Sequence, residues 1–125
     1  MRLWHEKLLP YLDRQRLLAQ HRECCAMRGN GWGKKHSTVD WCYKYGAYRL
    51  FLYHEKVMQE MKNRGYKPDP IWSNPLHRGK KCEPWDQLKI INLQGIIYPE
   101  HNDVELVANL NLLKDKGVPI TEQIL

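Results

Sequence analysis

The sequence predicts a small all-α single domain of about three main helices with long loops, and three observations support this. The chain has 125 residues, which suits one domain and leaves little room for a second. In three segments apolar residues recur at helical spacing, and a glycine follows each segment. The intervening segments are rich in glycine, proline and charged residues, as loops are. We therefore predict one domain over residues 1–125.

The first predicted helix begins near Asp13, which is a good N-cap, and runs to Arg28, where Gly29 ends it. The second covers about residues 47–64. The third covers about residues 103–116, where Asn102 is the expected N-cap.

The rest of the chain is predicted to be mostly loop. A short helix is expected over residues 39–44, and one short strand within "INLQGIIYPEH". Residues 67–86 contain four prolines and three lysines, so they should form a long irregular excursion. Loops of that length are often functional.

The composition is that of a basic protein without a membrane span. The net charge is +6 with a pI near 9.2, which favours an acidic partner, and nucleic acid first. No apolar run approaches the roughly 18 residues of a membrane helix. The start "MRLWHEKLLPYL" is charged and has no cleavage site for a signal peptide. We expect a cytoplasmic monomer.

One face of the first helix is predicted to face the core. It carries Leu17, Leu18, His21, Cys24, Cys25 and Arg28. The chain has no CxxC pair, so its four cysteines are expected to be free thiols and mostly buried. A zinc site at His21 and Cys25 is the alternative, but no second ligand pair follows at suitable spacing. We expect no metal and no cofactor.

The opposite face has a less common pattern. Gln15, Ala19, Arg22, Glu23 and Ala26 lie there together. This face is either a solvated surface with a charge pair, or a site in which Arg22 holds a phosphate and Glu23 moves protons.

The loop after this helix is basic and aromatic. "GNGWGKKH" contains Trp32, Lys34, Lys35 and His36 among glycines, and Arg28 precedes it. Glycines allow close approach to phosphates, cations neutralise them, and an aromatic ring can stack on bases or wedge between them. A carboxylate would repel phosphate, so Glu23 beside such a surface suggests chemistry.

The available nucleophile is the α-amine of Met1. We find no Ser/His/Asp arrangement, no clear second carboxylate for a two-metal site and no phosphate-binding P-loop. An α-amine is partly neutral near pH 7 and can form an imine with a sugar C1′. Arg2 is its neighbour.

These residues resemble the pyrimidine-dimer DNA glycosylase family (phage endonuclease V-like), including its bacterial branch. The resemblance is carried by Met1-Arg2-Leu3, by Gln15, Leu17, Arg22 and Glu23 on the first helix, by "KNRGY" at residues 62–66 and by "YPEHNDVEL" at residues 98–106.

The resemblance implies a DNA repair glycosylase and AP lyase that acts on cyclobutane pyrimidine dimers or abasic sites in duplex DNA. In that mechanism the terminal amine, here that of Met1, attacks C1′, an imine forms, and β-elimination cuts the strand. Glu23 would assist the proton transfers. The resemblance and the charge pattern together predict that DNA is contacted by Arg2, Gln15, Arg22, Arg28, Trp32, Lys34, Lys35 and His36.

Three other functions are left open. The first is a nucleic-acid-binding module with this fold and no catalysis. The second is a metal-dependent hydrolase that uses His21, His36 and a cysteine. The third is a protein-interaction domain whose proline-rich loop binds another chain.

Overall fold

The computed structural model describes residues 1–35 and 39–120. They form three α-helices, α1 (Arg14–Arg28), α2 (Ala47–Asn63) and α3 (Asp103–Asp115). Three short 3-10 helices lie at Glu6–Tyr11, Asp40–Tyr45 and Pro70–Ser73. These described residues contain no strand, so the predicted all-α fold is confirmed and the predicted strand is wrong. A lone strand would have no partner for its backbone hydrogen bonds.

The predicted helix ends lie close to the observed ones. Asp13 is the N-cap of α1, although its side chain binds Arg16 at 2.9 Å and caps no backbone N–H. Asn102 caps α3 as predicted, because its Oδ1 accepts from the backbone N–H of Glu105 at 2.9 Å. The short helix predicted over 39–44 is the 3-10 helix Asp40–Tyr45.

The core lies between α1 and α2 and is closed by the N-terminal residues and α3. Fully buried apolar side chains come from the N-terminal residues, the three α-helices and the segment before α3, and include Leu8, Leu17, Leu50, Val57, Tyr98 and Leu113. The 3-10 helix Glu6–Tyr11, which the sequence did not predict, contributes Leu8 and Leu9. No helix of residues 1–35 and 39–120 is long and apolar enough to cross a lipid bilayer.

The buried side of α1 is rotated from the predicted face. Gln20 is buried, whereas Leu18, His21 and Cys25 are only half-buried. The reason is that the N-terminal residues pack beside Gln20 and cover that side of the helix. The four cysteines are free thiols, of which Cys24 and Cys42 are buried.

Candidate active site

The N-terminal segment, residues 1–7, leads into the first 3-10 helix and is held by side chains from distant parts of the chain. Gln20 holds it from α1: its Nε2 donates to the carbonyl of Arg2 at 2.8 Å, and its Oε1 accepts from the N–H of Trp4 at 2.9 Å. Tyr53 of α2 donates its hydroxyl to the carbonyl of Trp4 at 2.6 Å. Buried backbone groups need such partners, so these bonds fix the path of the segment.

Two residues near α3 hold the other side of the segment. His101 donates from Nε2 to the carbonyl of Leu3 at 3.1 Å, and its Nδ1 accepts from the N–H of Glu6 at 3.4 Å. Asn109 accepts from the N–H of His5 at 2.8 Å. Both roles of His101 require a neutral ring, and burial lowers its pKa to about 4.

This arrangement brings the chain start to α1 and creates a concavity that we call the amine pocket. Its volume is about 340 Å³. Met1, Arg2 and Glu23 line it, which places together the two predicted catalytic residues and one predicted DNA contact. The other lining residues are Trp4, Arg16, Ala19, Gln20 and Lys116.

Glu23 is the single carboxylate among the residues that line the amine pocket, beside the basic side chains of Arg2, Arg16 and Lys116. Its Oε2 lies 3.1 Å from Nε2 of Gln20, the same amide nitrogen that donates to the carbonyl of Arg2. One amide group therefore connects the carboxylate to the backbone of the N-terminal segment. The guanidinium of Arg2 lies 5.3 Å from the centre of the Trp4 ring, which restrains its orientation.

The chemistry that this pocket allows follows from its groups. A carboxylate can accept and return a proton, a terminal amine can act as a nucleophile, and three cations can bind an anionic polymer. Ala19 lines the pocket together with Arg16 and Glu23, and its small side chain takes up little of the space.

Gln15 and Arg22 lie outside the amine pocket. They line a neighbouring concavity that shares Arg16 and Ala19 with it, and both side chains are exposed. Lys34 and Lys35 are exposed in the loop after α1. His36 lies outside the described residues. Gln15, Arg22, Lys34 and Lys35 do not line the amine pocket, and the contact of these residues and of His36 with DNA stays a prediction.

Trp32, a predicted DNA contact, packs against two other aromatic rings. Its ring is half-buried and meets the rings of Tyr43 and Trp85 edge-on, at centroid distances of 5.0 and 5.7 Å. A ring packed in this way anchors the loop in the hydrophobic core. Contact between the exposed part of this ring and DNA stays a prediction.

Arg28 also requires correction, because its side chain is fully buried. Nη1 donates to the carbonyl of Trp72 at 2.9 Å, and Nη2 donates to the carbonyls of Asn74 at 2.6 Å and His77 at 3.0 Å. Arg28 therefore attaches residues 67–86 to α1 and cannot contact a phosphate.

His21, Cys25 and His54 form a cluster whose potential ligand atoms all lie within 4.8 Å of one another. Nδ1 of His21 lies 2.8 Å from Nε2 of His54, and the sulfur of Cys25 lies 3.8 Å from a nitrogen of each ring. These distances alone would suit a zinc ion.

The donor set does not fit a metal, because of Arg28. Its Nη1 lies 3.0 Å from Nδ1 of His54 and can only donate, so Nδ1 accepts and Nε2 carries the proton. The nitrogen that faces the cluster is therefore a donor to His21. Burial is the main cause that lowers the pKa of His54 to about 2 and raises that of Cys25 to about 11. The cluster is a directional hydrogen-bond chain.

Four residues of the amine pocket were missed from the sequence: Trp4, Arg16, Gln20 and Lys116. Gln20 had a local signal, since it lies between Leu17 and Cys24 on the apolar side of α1, where a polar side chain needs a buried partner. Lys116 had none, because it reaches the pocket only through the packing of the end of α3.

Comparison with protein families gives one match. The model of the pyrimidine dimer DNA glycosylase family matches residues 1–74, which include α1, α2 and the N-terminal segment. The chain therefore belongs to this family of DNA repair glycosylases. No curated protein and no solved structure matches the chain.

Proposed function

We propose that the chain is a DNA glycosylase with AP lyase activity, which acts on cyclobutane pyrimidine dimers or abasic sites in duplex DNA. The observation that carries this proposal is the amine pocket, in which Met1 and Glu23 line one concavity at the end of a fixed N-terminal segment. The family supports the glycosylase class. The lyase step is our inference from the amine and the carboxylate.

In the proposed reaction the neutral α-amine of Met1 attacks C1′ of the 5′ nucleotide of the dimer. The bond between C1′ and the base breaks, and the base nitrogen takes the bonding electrons and a proton. The amine nitrogen gives up its two protons, one to the base and one to O4′, and the C1′–O4′ bond breaks with its electrons going to O4′ as the C=N bond of the imine forms. A proton then leaves C2′, the 3′ phosphate departs, and the strand is cut. Glu23 accepts and returns these protons.

The remaining groups of the pocket have supporting roles. Gln20 holds Glu23 and the backbone of Arg2 at a fixed separation, so it is a positioning residue. Arg2, Arg16 and Lys116 are placed to bind phosphates on either side of the lesion. Gln15, Arg22, Lys34 and Lys35 extend this contact on exposed surfaces. No step requires a metal. The single-domain assignment, the monomeric state, the cytoplasmic location and the role of His36 stay predictions.

The test is borohydride trapping on two labelled duplexes, one with a single cis-syn thymine dimer and one with an abasic site. N-terminal sequencing of the same preparation establishes that the amine of Met1 is free. A covalent band on both duplexes supports the proposal, and a band on the abasic duplex alone limits it to a lyase. If neither duplex gives a band although the amine is free, the imine mechanism is wrong. A nucleic-acid-binding module would then be the better description.

A further inference from the structure

A second concavity lies at the other end of α1, and we call it the lysine groove. Its volume is about 450 Å³. Ala26 and Gly29 form one wall, while Trp72, Gly79, Lys80 and Lys81 form the other. Most of this second wall lies beyond the residues that the family model matches.

Residues 67–86 are firmly attached to α1, so the second wall is a built feature. The guanidinium of Arg28 donates hydrogen bonds to three carbonyls of this segment. In return, Arg78 donates from Nε to the carbonyl of Arg28 at 2.9 Å and from Nη2 to that of Gly29 at 3.1 Å. The thiol of Cys82 donates to Asn30 at 2.8 Å. The fit is close, since a Cβ on Gly29 would lie 2.7 Å from the carbonyl oxygen of Arg78.

All the charged residues that line the lysine groove are basic. Lys80, Lys81 and Arg78 line it, and none of its lining residues is acidic. Lys80 and Lys81 are exposed, and neither forms a salt bridge within residues 1–35 and 39–120. Lysines held on a fixed wall and free of an acidic partner are suited to phosphates.

The groove continues the face of α1 that carries Arg22. Residues 15, 19, 22, 26 and 29 recur every three or four positions and therefore lie along one side of the helix. Ala26 of the groove lies one turn beyond Arg22, which is about 5.4 Å along the axis. Gln15 and Arg22 line the concavity next to the amine pocket. The amine pocket and the concavity beside it share Arg16 and Ala19, and the lysine groove begins about one turn further along α1.

We propose that the lysine groove binds the sugar–phosphate backbone of duplex DNA beside the lesion, with Lys80 and Lys81 contacting two phosphates. This inference rests on the proposed function, because it assumes that DNA lies across the amine pocket. It assigns residues 67–86 to lengthening the footprint on the duplex. The proposed chemistry stays at the amine pocket, where Glu23 lies about one helical turn before Ala26 of the groove.

The experiment measures affinity for duplexes that carry a stable abasic-site analogue, as a function of salt and of flank length on each side. The variant is Lys80→Ala/Lys81→Ala in the full chain. We expect its plot of log K against log salt to be shallower by about 1.8, since each lost phosphate contact removes about 0.9. Between 50 and 200 mM salt, wild type should lose roughly tenfold more affinity than the variant. Wild type should also gain affinity from lengthening one flank, and the variant should not.

Lys62→Ala is the control, because Lys62 is exposed on the side of α2 away from α1. An unchanged circular-dichroism melt shows that the double variant is folded. If the double variant keeps the wild-type salt slope and flank dependence, the inference is wrong, even where wild type still forms the trapped imine. If wild type forms no imine and shows no preference for damaged duplexes, the proposed function itself is wrong. The two failures are therefore distinguishable.

Discussion

Arg22 and Arg28 lie six residues apart on α1 and have opposite environments. Arg22 is exposed beside the amine pocket, and no buried contact depends on it. Arg28 is fully buried, lies over the faces of Phe51 and Trp72 at 5.3 and 4.9 Å, and holds a loop through three carbonyls. Residue type alone therefore says little about whether a basic side chain binds a ligand or the protein.

The two ends of α1 differ in the same way. Along residues 16–23, the polar groups of α1 that line the amine pocket face an open concavity, and Gln20 is buried among them. At the C-terminal half, polar groups are used to attach residues 67–86. We infer that substitutions at the first end change activity with little effect on stability, and that substitutions at the second end do the reverse.

The largest effect is expected from Glu23→Gln. Loss of a general acid–base group usually costs about 10² to 10⁴ in rate. The rate of imine formation under single-turnover conditions should fall by that factor, while affinity for the lesion duplex and the melting temperature stay close to wild type. Glu55→Gln, on the exposed side of α2, is the matched control. A Glu23→Gln variant with wild-type rate would remove the catalytic role of this residue.

Arg28→Met should be the most destabilising of these changes. It leaves the carbonyls of Trp72, Asn74 and His77 without their donor, so we expect a loss of about 3 kcal/mol in the free energy of unfolding. Urea unfolding measures this, and limited proteolysis should show earlier cleavage within residues 67–86. Arg22→Met should change stability by less than about 0.5 kcal/mol. Equal stability of the two variants would contradict the comparison.

Gln20→Leu tests the link between the two catalytic groups. Without the amide, the contact that joins the carbonyl of Arg2 to Glu23 is lost, so the rate of imine formation should fall by about 10- to 100-fold. Affinity for the lesion duplex should change by less than about twofold, because the cations remain. Gln59→Leu on the exposed side of α2 serves as the control. A fall in affinity that matches the fall in rate would instead indicate a binding role.

Acid should destabilise the fold through two buried histidines. Their ordinary pKa is 6.5, and burial is the main cause that lowers the pKa of His54 to about 2 and that of His101 to about 4. The unfolded chain therefore binds more protons below pH 6.5, and stability present above that pH is lost as the pH falls toward 4. Each histidine contributes a slope of up to about 1.4 kcal/mol per pH unit. Urea unfolding from pH 7 to 5 measures it, and a flat profile would contradict the neutral rings.

The smallest effect is expected from Lys34→Ala/Lys35→Ala. Both side chains are exposed, so stability should not change. If both contact phosphates, the salt slope of binding to a lesion duplex should become shallower by about 1.8. An unchanged slope would limit the contact surface to α1 and residues 67–86.

Local signals explain which parts of the fold were predictable. The three helices were found because their apolar period and capping residues, such as Asn102, lie within a few positions of one another. The position of the N-terminal segment could not be predicted from local signals. One of the side chains that hold it, Asn109, is separated by 104 positions from His5, from whose N–H it accepts a hydrogen bond. Such pairings depend on packing that no window of sequence contains.

The residues of the candidate site likewise divide into those with a local sequence signal and those that depend on tertiary packing. Glu23 was identified because a carboxylate is unusual among the basic residues of that stretch, and Met1 because a chain start offers an amine. Lys116 was not identified, since it reaches the pocket through tertiary packing. Arg28 was wrongly predicted to contact DNA. The local sequence, a basic residue before a glycine-rich basic loop, does not distinguish an exposed arginine from a buried one.

The fixed N-terminal segment has a practical consequence for expression of the protein. Residues 2–6 are held by Gln20, Tyr53, His101 and Asn109, so the chain start cannot move aside to accommodate added residues. A purification tag fused before Met1 would turn the amine into a non-nucleophilic amide and would extend into the amine pocket. Such a fusion should fold yet form no imine, and a protease that restores Met1 as the first residue would switch the chemistry on. A tag at the other end would leave the amine free.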